Sequence, residues 1–269
     1  MKVILNPQFD FLKDFVLSIP NYFTTSGEIL YQGRNELRVY QVAGVQVNVK
    51  KYKIPVWFNR IVYSFFRATK AERAYQNALR LLEKGFETPV PIAYIEKKRG
   101  GLFAEGYFIS VQCSYPYNFR RFETEQLAGN EAFFARFARF TASLHDSQIL
   151  HLDYSPGNIL FDQISGDARF SLLDINRMQF CPVDEDLGCR SFERLWGTDE
   201  MFQFMAAQYA QARGLDAAGC IRKVMRYHQA SVRYFTNKAI IKQKRKQKDF
   251  IGCIPLWLEN LKYLYFSAG

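Results

Sequence analysis

His151-Leu152-Asp153-Tyr154-Ser155-Pro156-Gly157-Asn158 runs straight into the apolar Ile159-Leu160-Phe161, and this stretch decides the fold. A histidine, an acid two residues on and an asparagine five residues after the acid make the pattern H-x-D-x-x-x-x-N. A carboxylate at Asp153 can accept or orient the proton of an attacking hydroxyl. The Asn158 side-chain oxygen can reach a cation that offsets phosphate charge. Pro156 and Gly157 bend the chain between the two, so both side chains can enter one cleft. Alone, the pattern also arises where an acid merely caps a turn. A second element makes it a site: Phe170-Ser171-Leu172-Leu173 is an apolar strand ending in Asp174-Ile175-Asn176, which brings another acid to the mouth of the same cleft.

Upstream, Val47-Asn48-Val49-Lys50 reads as a strand and matches the V-A-I-K pattern, in which a lysine grips nucleotide phosphates. Lys51 and Lys53 are open alternatives, because register on a short strand is not fixed by sequence. In the next helix Glu72 is offered as the ion-pair partner of that lysine, with Gln76 on the same face as its alternative. Residues 28–53 read as successive strands with turns at Gly33-Arg34-Asn35 and Ala43-Gly44. A helical pattern follows from about Lys70 to Lys84, stopped by Gly85, Pro89 and Pro91. Residues 91–112 return to strand around a turn at Lys97-Lys98-Arg99-Gly100-Gly101. The rest is mostly helical, with short strands near 159–161 and 170–174. A strand-rich beginning and a helical remainder predict an α+β protein of two lobes, 1–112 and 113–269.

These elements together resemble the protein-kinase-like superfamily, and within it the lipopolysaccharide core kinases. The resemblance rests on the helix start at 70–75, Gly85-Phe86-Glu87-Thr88-Pro89-Val90-Pro91, the loop Asp153-Tyr154-Ser155-Pro156-Gly157-Asn158, and Leu173-Asp174-Ile175-Asn176-Arg177-Met178. It spans roughly residues 28–200. It implies a bilobal kinase fold, with an antiparallel-sheet N-lobe and a mostly helical C-lobe. It also implies ATP and Mg²⁺, and as acceptor a Kdo or heptose sugar of the lipid A inner core. On that resemblance adenine meets backbone near Val111 and Cys113, Lys50 contacts the α/β-phosphates, and Glu72 holds Lys50. Asn158 and Asp174 bind Mg²⁺, and Asp153 orients the sugar hydroxyl. Kdo is preferred to heptose because the chain is compact.

Departures from ordinary protein kinases narrow the acceptor. Tyr31-Gln32-Gly33-Arg34-Asn35-Glu36 stands where a G-x-G-x-x-G loop is expected, Asn176 replaces the glycine of D-F-G, and no A-P-E follows. Only Val183-Asp184-Glu185-Asp186 separates Asp174 from the next helix, so the usual peptide platform is missing. A glycolipid acceptor is favoured over the competing expectations, an atypical protein Ser/Thr/Tyr kinase and a non-catalytic pseudokinase module.

Of 269 residues, 48% are hydrophobic and 16% aromatic, which excludes disordered and low-complexity classes. The amino terminus does not look like a signal peptide, and no uncharged apolar run reaches membrane-spanning length. Five cysteines without C-x-x-C spacing argue against a disulfide framework or zinc, and a cytoplasmic location is expected. His145 reads as a packing residue, His151 as a support of the loop, and Phe133, Phe134, Phe137 and Phe140 as core.

The net charge of +10 is uneven. Residues 217–248 hold ten Lys or Arg and no acid, while the remaining 26 basic residues balance 26 acidic ones. Ile221, Val224, Met225, Val232, Phe235 and Ala239 keep helical spacing there, which predicts an amphipathic helix. The segment alone leaves open a core helix with a solvated basic face, contact with an anionic membrane surface, and nucleic acid; the resemblance implies that the basic segment, 222–248, docks on the cytoplasmic face of the inner membrane. Nucleic acid is not an expected partner, because no exposed aromatics are expected among these cations.

Overall fold

The computed structural model describes residues 1–53, 63, 67–164 and 167–252. Cys253 and the 257–266 stretch lie outside the described residues, as do the side chains of 164, 239, 242 and 244–252.

The hairpin of β3 (Glu36–Val42) and β4 (Val45–Tyr52) closes through Ala43 and Gly44, both at positive φ (48° and 79°). Two such residues make the tight turn whose twist matches paired strands. With β1 (Lys2–Leu5), β2 (Glu28–Gln32), β5 (Pro91–Arg99) and β6 (Leu102–Val111), they form a six-stranded antiparallel sheet in the order β1-β5-β6-β4-β3-β2.

One face of the sheet is closed by α1 (Lys13–Tyr22). Val16 and Ile19, with Leu12 and Phe23 at its ends, pack on Val47, Val49, Ile95 and Ile109. The opposite face carries α2 (Lys70–Glu83), capped by the Thr69 hydroxyl and ended by Gly85 at φ 80°. Ala71, Ala74, Ala78 and Leu81 form its buried stripe. β1 and α1 were not anticipated from the sequence.

The second half holds α3 (Glu131–Asp146), β8 (Ile149–His151), β9 (Ile159–Ile164), β10 (Asp167–Leu172), β11 (Met178–Phe180), α4 (Glu185–Arg190), α5 (Asp199–Arg213) and α6 (Ala217–Gly252). Its core is aromatic. Phe133, Phe134 and Phe137 are buried with Phe161 and Phe170, and Phe140 packs at their edge, as the helical spacing predicted. β9 and β10 pair as a hairpin, joined by the short β7 (Tyr117–Asn118), while β8 pairs with β11. The α+β expectation holds, with an antiparallel sheet first and helices after it.

α6 differs in part from the expectation. Its first turns dock: Cys220 and Val224 are buried, His228 stacks on Phe202 at 3.6 Å, and Lys223 pairs with Glu185 at 2.8 Å. Val232 and Phe235, which keep the helical spacing of the apolar face, are exposed, and so is Tyr234. The expectation of no exposed aromatics is thereby corrected. The cause is length, since a 36-residue helix outruns the 15-residue α5 on which it lies.

Candidate active site

β4 sets the first group by alternation. Val47 and Val49 face the core under α1, whereas Asn48, Lys50 and Tyr52 face a cleft of about 610 Å³. Lys51 points to the α1 side and pairs with Glu105 at 2.8 Å, and Lys53 is exposed. Of the three lysines left open by the sequence, Lys50 is the one in the cleft.

Lys50 Nζ donates to Asp174 Oδ1 at 2.8 Å across 124 residues of chain. Asp174 follows β10 with φ 51° and ψ 41°, a left-handed conformation that is uncommon for a residue with a Cβ and frequent at active sites. The Asn176 amide donates to the same oxygen, and Asn77 on α2 pins the next turn by donating to the Ile175 carbonyl at 2.7 Å. Burial pushes the Asp174 carboxyl up. The charge and hydrogen bond of Lys50, with the charge of Lys70 further off, outweigh it and hold the group below the ordinary carboxylate range.

The loop after β8 is fixed by His151. Its Nδ1 accepts from the Asp153 backbone N–H at 3.0 Å, so the nitrogen facing the Leu173 carbonyl at 2.8 Å is the donor. Burial lowers the imidazole pKa, keeping it neutral. One ring thus ties the loop to the strand end that carries Asp174, the supporting role read from sequence. Asn158 donates its amide to the Asp153 carbonyl (2.9 Å) and to Ser155 Oγ (3.2 Å), which leaves its side-chain oxygen as an acceptor. The Leu173 N–H donates to the Asn158 carbonyl at 2.8 Å. The Asp153 carboxylate is held by Arg194 Nη1 and lies 3.8 Å from Arg177 Nη1.

Glu72 departs from its expected role. It accepts from Lys2 Nζ at 3.2 Å and from Tyr94 OH at 3.1 Å, and it does not meet Lys50. The α2 residue lining the cleft beside Lys50 is Ala74. Two positions along a helix are about 200° around it, so Glu72 and Ala74 cannot share a face. Gln76 is exposed and does not replace Glu72. Among the described residues Lys50 pairs with Asp174 and with no other carboxylate.

At the crossing between the sheet and the helical part, Val111 N–H donates to Val90 and Gln112 N–H to Gln46. Among the described residues, the Cys113 N–H that follows has no partner. Val111 and Cys113 both line the cleft.

Among the described residues no cluster of three metal-ligating side chains exists. The Asp174 carboxylate and the Asn158 oxygen are nonetheless hard donors of the kind Mg²⁺ takes when phosphate and water complete its shell, so these residues fit that ion. Sequence reasoning missed Arg177, Arg194, Arg120 and Lys70. Arg177 lay inside a quoted motif without a role. Arg194 meets Asp153 from 41 residues away, a contact that only the fold creates.

Residues 30–195 match the profile of the lipopolysaccharide kinase (Kdo/WaaP) family. A curated relative, the 3-deoxy-D-manno-octulosonic acid kinase of Haemophilus influenzae (strain PittGG), is 28% identical over 120 residues, 44% of this chain. The chain matches about half of that relative's length, 49%. A solved structure of WaaP in complex with acyl carrier protein superposes with a TM-score of 0.60 at 17% identity, covering 86% of this chain and 99% of that one. That likeness extends the kinase-like fold over most of the molecule. With its profile matched from β2 to Leu195, and with the loop and strand end in the geometry described, the chain belongs to the lipopolysaccharide kinase (Kdo/WaaP) family.

Proposed function

We propose that this family member transfers the γ-phosphoryl group of ATP to a hydroxyl of an inner-core sugar of lipopolysaccharide, Kdo ahead of heptose. The observation that carries the reading is one cleft lined by Lys50, Asn158 and Asp174, with Asp153 on the same loop as Asn158. The lobe at 1–112 presents Lys50 to the α/β-phosphates, and the lobe at 113–269 supplies the loop and, at its first residue, the Cys113 N–H for adenine. Asp153 takes the proton as the sugar oxygen bonds to the γ-phosphorus and the bond to the bridging oxygen of ADP breaks. Asn158 and Asp174 would hold Mg²⁺, which when bound offsets charge on the phosphates. Catalysis is positioning and electrostatics, with no covalent intermediate on the protein.

The second part of the proposal concerns place. No helix among the described residues is long and apolar enough to cross a membrane. α6 instead presents Arg233 and Lys238 beside exposed Val232, Tyr234, Phe235, Ile240 and Ile241. Cations next to aromatic and branched apolar side chains suit the surface of an anionic leaflet.

The test is transfer of labelled γ-phosphate from Mg·ATP, with Kdo-lipid A and a bulk protein mixture as competing acceptors. Label in the glycolipid, lost in Asp153→Ala with nucleotide binding retained, is the expected result. Label in protein alone supports the atypical protein kinase. No Mg·ATP binding supports the pseudokinase.

A further inference from the structure

The acceptor side of the loop carries more positive charge than the site described so far uses. Asp153 must be free to meet a hydroxyl, yet its carboxylate is engaged by Arg194 and faced by Arg177 at 3.8 Å. These are not the saturated contacts of a buried structural clamp. The Arg177 side chain is 56% exposed and the Arg194 side chain 37%, against 17% for Asp153. A third guanidinium, Arg120, lies against Gly157 of the same loop; a Cβ on that glycine would stand 2.7 Å from Arg120 Nη2. Arg120 also lies 5.9 Å from the Trp196 ring and has no carboxylate in ion-pair range among the described residues. Two guanidiniums therefore meet one carboxylate, and a third lies on the same loop at Gly157, where it lines the phosphoryl-transfer cleft.

A guanidinium fork matches the planar geometry of a carboxylate. We infer that Arg177 and Arg194 form the receptor for a carboxylate on the acceptor sugar, with Arg120 adding charge beside them, so that the acceptor is a sugar acid. The inference rests on the sugar-kinase reading above. In the free protein Asp153 occupies the receptor. An incoming sugar carboxylate exchanges for it at both arginines, which frees an Asp153 oxygen for the hydroxyl. The exchange conserves charge, because one anion replaces another on the same pair of cations. A neutral heptose cannot make it, which gives a structural reason for Kdo that compactness did not supply. The device also leaves Asp153 masked when only ATP is bound, so water is a poor acceptor.

The experiment reads binding as well as turnover. The methyl glycoside of Kdo and its methyl ester are titrated by calorimetry into wild type, Arg177→Gln, Arg194→Gln and Arg194→Lys, each checked for an unchanged thermal melt. Wild type is expected to bind the acid about tenfold or more tightly than the ester. Both Gln variants should bring that ratio near one, and Arg194→Lys should restore it in part. In parallel, kinetics on Kdo-lipid A should show a raised KM for acceptor with the KM for ATP little changed. Equal binding of acid and ester by wild type overturns the receptor, as does a wild-type ratio in both Gln variants, which would leave the arginines only positioning Asp153. A KM effect of the Gln variants that disappears on Kdo-lipid A stripped of its lipid A phosphates overturns it in favour of those phosphates. Acid-selective binding without transfer to Kdo-lipid A keeps the receptor and fails the kinase reading; transfer without acid selectivity does the reverse.

Discussion

Asp174 combines a left-handed backbone with an ionised side chain shared by Lys50 and Asn176. Asparagine tolerates that backbone almost as well as glycine does, so Asp174→Asn removes charge without forcing the turn to rebuild. The variant should fold and should lose turnover on the order of 10²-fold or more, with weakened dependence on Mg²⁺. Normal metal dependence in a titration of activity against Mg²⁺ would count against the assignment.

His145 is a different kind of residue. Arg213 donates to the Tyr209 hydroxyl at 2.6 Å, so that hydroxyl gives its proton to His145 Nδ1 at 2.8 Å. Burial, then the Arg213 charge, lowers the imidazole pKa from 6.5 to about 3. Between those values the unfolded chain takes up a proton that the folded one refuses. Stability from this group is complete above pH 6.5 and falls as the pH drops toward 3, by at most about 1.4 kcal/mol per pH unit. Denaturant midpoints measured at pH 7 and pH 5 should differ less in His145→Gln than in wild type.

α2 shows how one helix serves the site without lending it a carboxylate. Its Glu72 lies in a half-open pair with Lys2, of the sort worth about 0–1 kcal/mol, so Glu72→Gln should change phosphoryl transfer by less than about threefold. Asn77 is buried and spans 98 residues to the Ile175 carbonyl. Asn77→Ala should cost about 1–3 kcal/mol in a denaturation curve and lower kcat with it, because the turn carrying Asp174 loses its anchor. A larger activity loss in the Glu72 variant than in the Asn77 one would reverse these roles.

The same helix explains what could be read from the chain and what could not. Thr69, Gly85 and the alanine stripe announce α2, and Ala43-Gly44 between alternating residues announces the β3–β4 hairpin. α1 carries Pro20 inside it and lacks a side-chain cap, so local signals argue against the helix that packing enforces. In the site, Lys50, Asp153, Asn158 and Asp174 sit in short patterns whose spacing is itself the geometry. Glu72 was misplaced because helical phase, and not proximity to Lys50 in sequence, decides which side chain enters the cleft. Arg194 was invisible because one arginine among 36 basic residues carries no local sign of its partner.

Taken together, one core runs from α2 and the sheet into the helical half and a second lies between α1 and the sheet, while the positive excess is carried along α6. If that helix docks on anionic lipid, reversing Arg233, Lys238, Lys242 and Lys244 to glutamate should abolish sedimentation with vesicles containing phosphatidylglycerol. Transfer to a water-soluble Kdo acceptor should persist, since among the described residues α6 lends the cleft no side chain. Unchanged sedimentation would show that α6 does not mediate attachment.

All three histidines of the chain, His145, His151 and His228, are buried, and burial lowers the pKa of each. The basic segment contains one of them, and it is stacked beneath the helix on Phe202. The positive charge of segment 222–248 is therefore carried by lysine and arginine, with burial holding its one histidine back from protonation. An attachment built this way ignores acidification and yields to ionic strength, so a salt wash, and not a mild acid one, is what should strip the protein from a membrane fraction.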